Sequence, residues 1–189
     1  MHTDNNVPDA VQSTAFFATR VGTAYSAYIS GTIESPSNYI DLFNLIRNLG
    51  PDDSLTLHIN SHGGDVSTAI QMIRCMGESA GTITCSVEGN CMSAATMIFL
   101  SADKFEITAL SSFLIHNYSG GTFGKGNEMH SQIDFERQWS KNLFNEVYAG
   151  FLTKSEIKEV LEGKDIWLHY EDVAERVRAR ETKRLKDAK

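Results

Sequence analysis

Long hydrophobic runs are missing from this 189-residue chain. Its apolar stretches, such as Met97–Leu100 and Phe113–Ile115, fall far short of the roughly 20 residues that cross a bilayer. No basic start followed by an apolar segment opens the chain at Met1–Pro8, so no secretory signal is expected. Cysteine is scarce. Cys75, Cys85 and Cys91 cannot all pair and none forms a CxxC, which predicts buried free thiols in a reducing, cytoplasmic setting. Basic charge is also lacking over most of the chain. The net charge is −7, yet Arg176–Lys189 carries seven Lys/Arg against two acids, so the remaining body holds −12. An acidic body argues against a nucleic-acid groove, which needs a basic surface to meet phosphates. The basic end reads either as a solvated C-terminal helix or as a contact for an acidic partner. No repeat or low-complexity tract interrupts the chain.

What is present suits one soluble domain: apolar residues make up 41% and charged residues 22%, in a length that can bury a sizeable core. Residues 1–24 read as a mobile N-terminal segment, 25–174 as the folded domain and 175–189 as a basic tail. Within the domain, strand and helix patterns alternate. Tyr25–Ser30, Ser54–Ile59, Thr82–Val87, Lys104–Thr108 and Phe113–Ile115 read as strands. Ser37–Leu49, Val66–Met76, Ser93–Leu100, Lys154–Leu161 and Glu171–Arg180 read as helices. One long helix is predicted over Asn127–Leu152, where Met129, Ile133, Trp139, Leu143, Phe144, Val147 and Phe151 recur near a helical period. Strands separated by helices predict an α/β fold with a largely parallel sheet, whose sites gather where strands end.

Three polar stretches fall at such places. In Ile59-Asn60-Ser61-His62-Gly63-Gly64-Asp65, paired glycines permit a tight turn and close approach to main-chain N–H groups; a plain strand-to-helix turn is the other reading. In Gly89-Asn90-Cys91-Met92-Ser93-Ala94-Ala95, a serine among small residues opens a helix. Such a serine caps the helix, or else serves as a nucleophile favoured by the helix N-terminus. In Phe113-Leu114-Ile115-His116-Asn117-Tyr118-Ser119-Gly120-Gly121, a histidine ends an apolar strand. It is either structural or a base, and a base needs a hydroxyl to deprotonate and a carboxylate to orient it. Asp165, in Gly163-Lys164-Asp165-Ile166-Trp167-Leu168, could supply the carboxylate or could simply cap a turn.

Taken together, these motifs resemble those of the Clp protease proteolytic subunit, a family of crotonase-like fold. Ile59–Gly64 is similar to the family's I-N-S-P-G-G, Gly89–Ala94 to G-x-A-A-S-M, Leu114–Gly121 to M-I-H-x-P-x-G-G, and Asp165–Tyr170 to D-R-x-x-S-A. The resemblance covers about Tyr25 to Val173. It implies a ββα superhelical fold with a protruding handle helix at Asn127–Leu152 and homo-oligomers of stacked heptameric rings around a proteolytic chamber. It implies peptide hydrolysis of unfolded chains by Ser93 as nucleophile, His116 as base and Asp165 as its orienting carboxylate. The N–H groups of Gly64 and Ala94 would form the oxyanion hole. No metal or organic cofactor is implied, and no membrane or nucleic-acid partner is expected.

The departures from the pattern lie at His62, Cys91, Met92, Ala94 and Tyr118, none of which removes a catalytic group. Others fall on the apolar pocket that in the family receives the ATPase's docking loop. Thr56 and His58 stand in place of its Y-x-Y, and Glu78, Ser86 and Glu88 stand where apolar residues are usual. The family's closing G-L-I-D is replaced by the charged run Glu175–Arg180, and its N-terminal helix is not recognisable in Val11–Ala24. Altered docking to a Clp-type ATPase or a host Clp subunit is therefore expected. Such divergence around an intact triad resembles bacteriophage variants, including capsid-maturation peptidases. Two other readings stay open: a weakly active structural ring subunit, and an acyl-CoA enzyme of the crotonase type.

Overall fold

β-branched and aromatic residues in alternation make Ala24–Ile33 (β1) and Ser54–Gly64 (β2) strands, which pair in parallel from Ala24–Ser54 to Ile33–Gly64. The computed structural model describes residues 21–187, so the segment expected at 1–24 lies mostly outside the described residues. Leu55, Leu57 and Ile59 of β2 are fully buried, the inward set of a period-two pattern.

Between the two strands the expected helix over Ser37–Leu49 is split. A 3-10 turn at Pro36–Tyr39 precedes the α-helix Ile40–Arg47 (α1), because Pro36 fixes the first turn without a donor N–H. Asp65 then caps Val66–Glu78 (α2) through a hydrogen bond accepted from the Thr68 N–H at 2.7 Å, and α2 buries Ala69, Met72, Cys75 and Met76.

The next strand, Thr82–Met92 (β3), is longer than the sequence pattern indicated. It pairs with β2, then forks: Thr84–Ser86 take Lys104–Glu106 (β4) and Asn90–Met92 take Ser112–Ile115 (β5). All these pairs are parallel. The buried helix Ala94–Phe99 (α3) separates β3 from β4. Asn60–Gly64, where the glycines predict a turn into the next helix, is the end of β2 leading into α2, and it stays paired with β1 across a register shift at Gly31/Thr32.

The long helix is Gly126–Val147 (α4), five residues shorter at its C-terminal end than the predicted Asn127–Leu152. Tyr148, Phe151 and Leu152 are buried in the turn that ends it, and Gly150 adopts φ +75° there. Along α4 only Ser140 and Phe144 are buried, so its first half projects from the body. The helix Lys154–Leu161 (α5) matches its predicted span and carries a capping box of Thr153 and Glu156.

A strand absent from the sequence reading, Ile166–Leu168 (β6), pairs antiparallel with β5. The sheet order is thus β1-β2-β3-β5-β6, with β4 beside β3. The basic C-terminal run is mostly helical, in Tyr170–Asp187 (α6). Val173 and Val177 bury against the body, and Arg180 donates to the carbonyls of Leu100 and Val147.

Candidate active site

Ser93 occupies the junction between β3 and α3, and its backbone sits at φ 53° and ψ −126°. It is the only non-glycine residue with positive φ among the described residues. That conformation is held from three directions. The Ser93 N–H donates to the Leu114 carbonyl at 2.8 Å, and the Ser93 carbonyl accepts from the Thr96 N–H at 2.9 Å and from Thr96 Oγ1 at 2.7 Å. Although Ser93 stands at the N-cap position of α3, its side chain makes no capping hydrogen bond. The hydroxyl is therefore not consumed by the helix end.

Gly63 forms the wall against Ser93. A Cβ there would lie 2.7 Å from Ser93 Cβ and 3.1 Å from the Ala94 nitrogen, and its φ is +95°. Close approach and backbone conformation both require glycine. Ser61 fixes this turn: its hydroxyl donates to the Gly31 carbonyl at 2.6 Å and accepts from the Gly63 N–H at 3.0 Å. Gly64 follows at φ +148°, where an added Cβ would sit 2.2 Å from the Ile33 carbonyl oxygen. Gly64 is exposed, whereas Gly63 and Ala94 are buried.

His116 immediately follows β5 and is half-buried. It lines the same small pocket as Ser93, together with Ala94, Met97 and Tyr118. Asp165 immediately precedes β6 and is exposed. Because β5 and β6 run antiparallel and end on the Ile115–Ile166 pair, His116 and Asp165 are brought to the same end of the ladder. Among the described residues, no hydrogen bond or ion pair joins the side chains of Ser93, His116 and Asp165. The Ser93–His116 neighbourhood follows from β3 and β5 being paired at Asn90–Met92.

Competing groups are few. Cys91, two residues before Ser93, is fully buried, and burial pushes its thiol well above the usual range, so it offers no thiolate. No group of three or more His, Cys, Asp or Glu side chains placed to hold a metal occurs among the described residues. No helix among them is long and apolar enough to cross a membrane.

Two residues at this site were not singled out from the sequence. Thr96 and Tyr148 are 2% and 1% exposed, and their hydroxyls meet at 2.7 Å. Tyr148 lies four residues beyond Phe144 on the same helical face, so the spacing did carry a signal for its burial. Its hydrogen bond to Thr96, 52 residues away, left no local signature.

Comparison with known proteins agrees with this architecture. The model of the family described as Clp protease matches residues 32–175. Among solved structures, a mutant form of ClpP1 from Listeria monocytogenes is similar, with a TM-score of 0.62 over 80% of this chain and 86% of that one. Sequence identity to it is 19%, a level at which the likeness is one of fold.

Proposed function

The chain belongs to the Clp protease family, and from that premise we propose that it is a serine endopeptidase acting through Ser93, His116 and Asp165. The observation that carries this reading is Ser93 itself. A serine whose hydroxyl caps nothing is held in a strained backbone conformation beside a histidine that shares its pocket. Strained non-glycine geometry of this kind persists only where surrounding contacts enforce it, and it concentrates at functional sites.

In the proposed reaction, Ser93 Oγ attacks the carbonyl carbon of a peptide bond while His116 takes its proton. The carbonyl oxygen gains negative charge and is met by the N–H groups of Gly64 and Ala94. When the tetrahedral adduct collapses, the C–N bond breaks and His116 returns the proton to the leaving amine. Water then repeats the sequence on the acyl-enzyme. Asp165 orients the imidazole and stabilises its charged form. It borders the ladder end that carries His116.

Labelling by a fluorophosphonate tests the nucleophile: stoichiometric adduct on Ser93, lost in Ser93→Ala together with peptide hydrolysis, is the expected result. Asp165→Asn lowers kcat by about 10⁴-fold if the carboxylate holds the imidazole's tautomer. Undiminished activity in that variant removes Asp165 from the mechanism.

The handle helix supplies the proposed assembly. The projecting half of α4 exposes Ile133 and Phe135, which a second ring of copies would cover to form stacked heptamers. Native mass measurement of the assembled particle, against 21.0 kDa for one chain, decides the number of copies.

A second reading, a weakly active ring subunit co-assembling with a host Clp protease, is favoured by one observation. The three candidate side chains share no hydrogen bond among the described residues. A fluorophosphonate-silent Ser93 in a well-formed particle supports that reading over the peptidase. Processing of phage structural proteins rather than degradation of unfolded chains would use the same chemistry. Particle-dependent cleavage of a folded capsid precursor separates the two.

A further inference from the structure

The pocket against Ser93 is nearly full. Val66, Met97, Trp139, Leu143, Phe144 and Tyr148 close it, and about 20 Å³ stays open, room for roughly one water. Next to it, sharing Tyr118 and Ser140, lies a basin of about 700 Å³. Space is therefore available along the groove but not beside the hydroxyl.

Tyr148 is part of the wall of this pocket. Its ring packs on Phe144 at 5.0 Å between centroids, and its hydroxyl lies 2.7 Å from Thr96 Oγ1. Thr96 Oγ1 already donates its single proton to the Ser93 carbonyl at 2.7 Å, so the Tyr148 O–H is the donor of the pair. The phenol sits at full burial, and burial pushes its ionisation far above the ordinary range, so it stays a donor at every working pH. A ring packed on one face and hydrogen-bonded at its tip cannot swing aside without stranding a buried hydroxyl.

We propose that Tyr148, locked by Thr96, restricts this site to substrates with glycine, alanine or serine as the residue whose carbonyl Ser93 attacks. The proposal rests on the serine-peptidase reading above. That residue's side chain hangs on the atom bonded to the attacked carbon, so it must lodge within one side-chain length of Ser93 Oγ. A methyl or hydroxymethyl group replaces the water that the pocket can hold. An isobutyl or benzyl group meets Met97, Phe144 and Tyr148 instead.

The test uses the full-length assembled protein and peptidyl diphenyl phosphonates that differ only in an alanyl, leucyl or phenylalanyl side chain. Ser93 Oγ displaces phenoxide from phosphorus, so the labelling rate reads the fit of that side chain. The alanyl probe is expected to label Ser93 about tenfold or more faster than the leucyl probe. In Tyr148→Ala the leucyl rate rises to match or exceed the alanyl rate. Tyr148→Phe, which cuts the tether and keeps the ring, raises it less. Leucyl or phenylalanyl labelling as fast as alanyl in the unaltered protein overturns the proposal, whether or not any variant folds. If a fluorophosphonate labels Ser93 in that same sample, the peptidase reading survives and only the restriction falls. If Ser93 is silent to every probe, both fall. An alanyl preference that persists in a folded Tyr148→Ala protein removes Tyr148 from the explanation.

Discussion

At Ser93, φ 53° and ψ −126° place an L-residue where glycine belongs, a strain of about 1–3 kcal/mol. Two substitutions separate that strain from chemistry, since Ser93→Ala and Ser93→Gly both delete the hydroxyl and only the second relaxes the backbone. Both are expected to be inactive, with Ser93→Gly the more stable by about 1 kcal/mol after its larger unfolded-state entropy is counted. Equal urea midpoints for the two would mean that the elbow carries no strain. Gly63 gives the converse case. Gly63→Ala drives a methyl to 2.7 Å from Ser93 Cβ, so fluorophosphonate labelling should fall sharply even where the protein still folds. The motif residues were legible in the sequence because glycine pairs and a serine among small residues are local patterns. The choice for Ser93 between helix cap and free hydroxyl was not legible, because it turns on hydrogen bonds to Thr96 and to Leu114, 21 residues away.

The elements themselves followed from apolar periodicity wherever one face was buried, as in β2, α2 and α5. Their ends did not. β3 outruns its β-branched core because Asn60 bridges a gap in the ladder, its side-chain oxygen accepting from the Asn90 N–H at 3.0 Å. β6 has three residues, too few for a period to register, and it exists because β5 offers it an open edge. The junction of α5 and α6 depends on Glu156 and Arg176. Arg176 donates to Glu156 at 2.7 and 3.0 Å and to the Phe151 carbonyl at 3.2 Å, while Glu156 also closes the capping box on Thr153. The Arg176 hydrogen bonds are the main reason the Glu156 carboxyl drops from 4.5 to about 2, with the Thr153 backbone and hydroxyl adding to the shift. A lowered carboxyl contributes stability above its unfolded value and loses it as pH falls through the folded one. The junction therefore weakens between pH 4.5 and about 2. Glu156→Gln should cost about 1–2 kcal/mol near neutrality and flatten the fall in melting temperature over that acid window. An equally steep fall in the variant would assign the acid sensitivity to other carboxylates.

Over the whole molecule, the polar substitutions read from the sequence form connected surface features. Tyr28 on β1 stacks on His58 of β2 at 4.7 Å, and His58 in turn pairs with Glu88 of β3. Alongside, Ser86, Lys104, Glu106 and Thr108 line a groove with Arg178 and Glu181 of α6, so charge from the C-terminal helix reaches the same side of the sheet. Glu78 is likewise occupied, holding both Arg47 and Arg74. An apolar docking loop laid on this surface would have to desolvate the His58–Glu88 pair and neighbouring charges. Each imperfectly matched polar group costs roughly 1–3 kcal/mol, which two such groups convert into a loss of at least tenfold in affinity. A Clp-type ATPase is therefore expected to leave hydrolysis of short peptides within about twofold of its basal rate and to drive no degradation of a tagged, folded substrate. His58→Tyr combined with Glu88→Leu removes the pair and restores an apolar strand surface around Tyr28, so it should raise ATPase binding measured by native mass or interferometry. Tight, stimulatory binding of the ATPase to the unaltered protein would contradict this account of the surface. It would do so without touching Ser93, whose chemistry is set beyond the C-terminal end of β3.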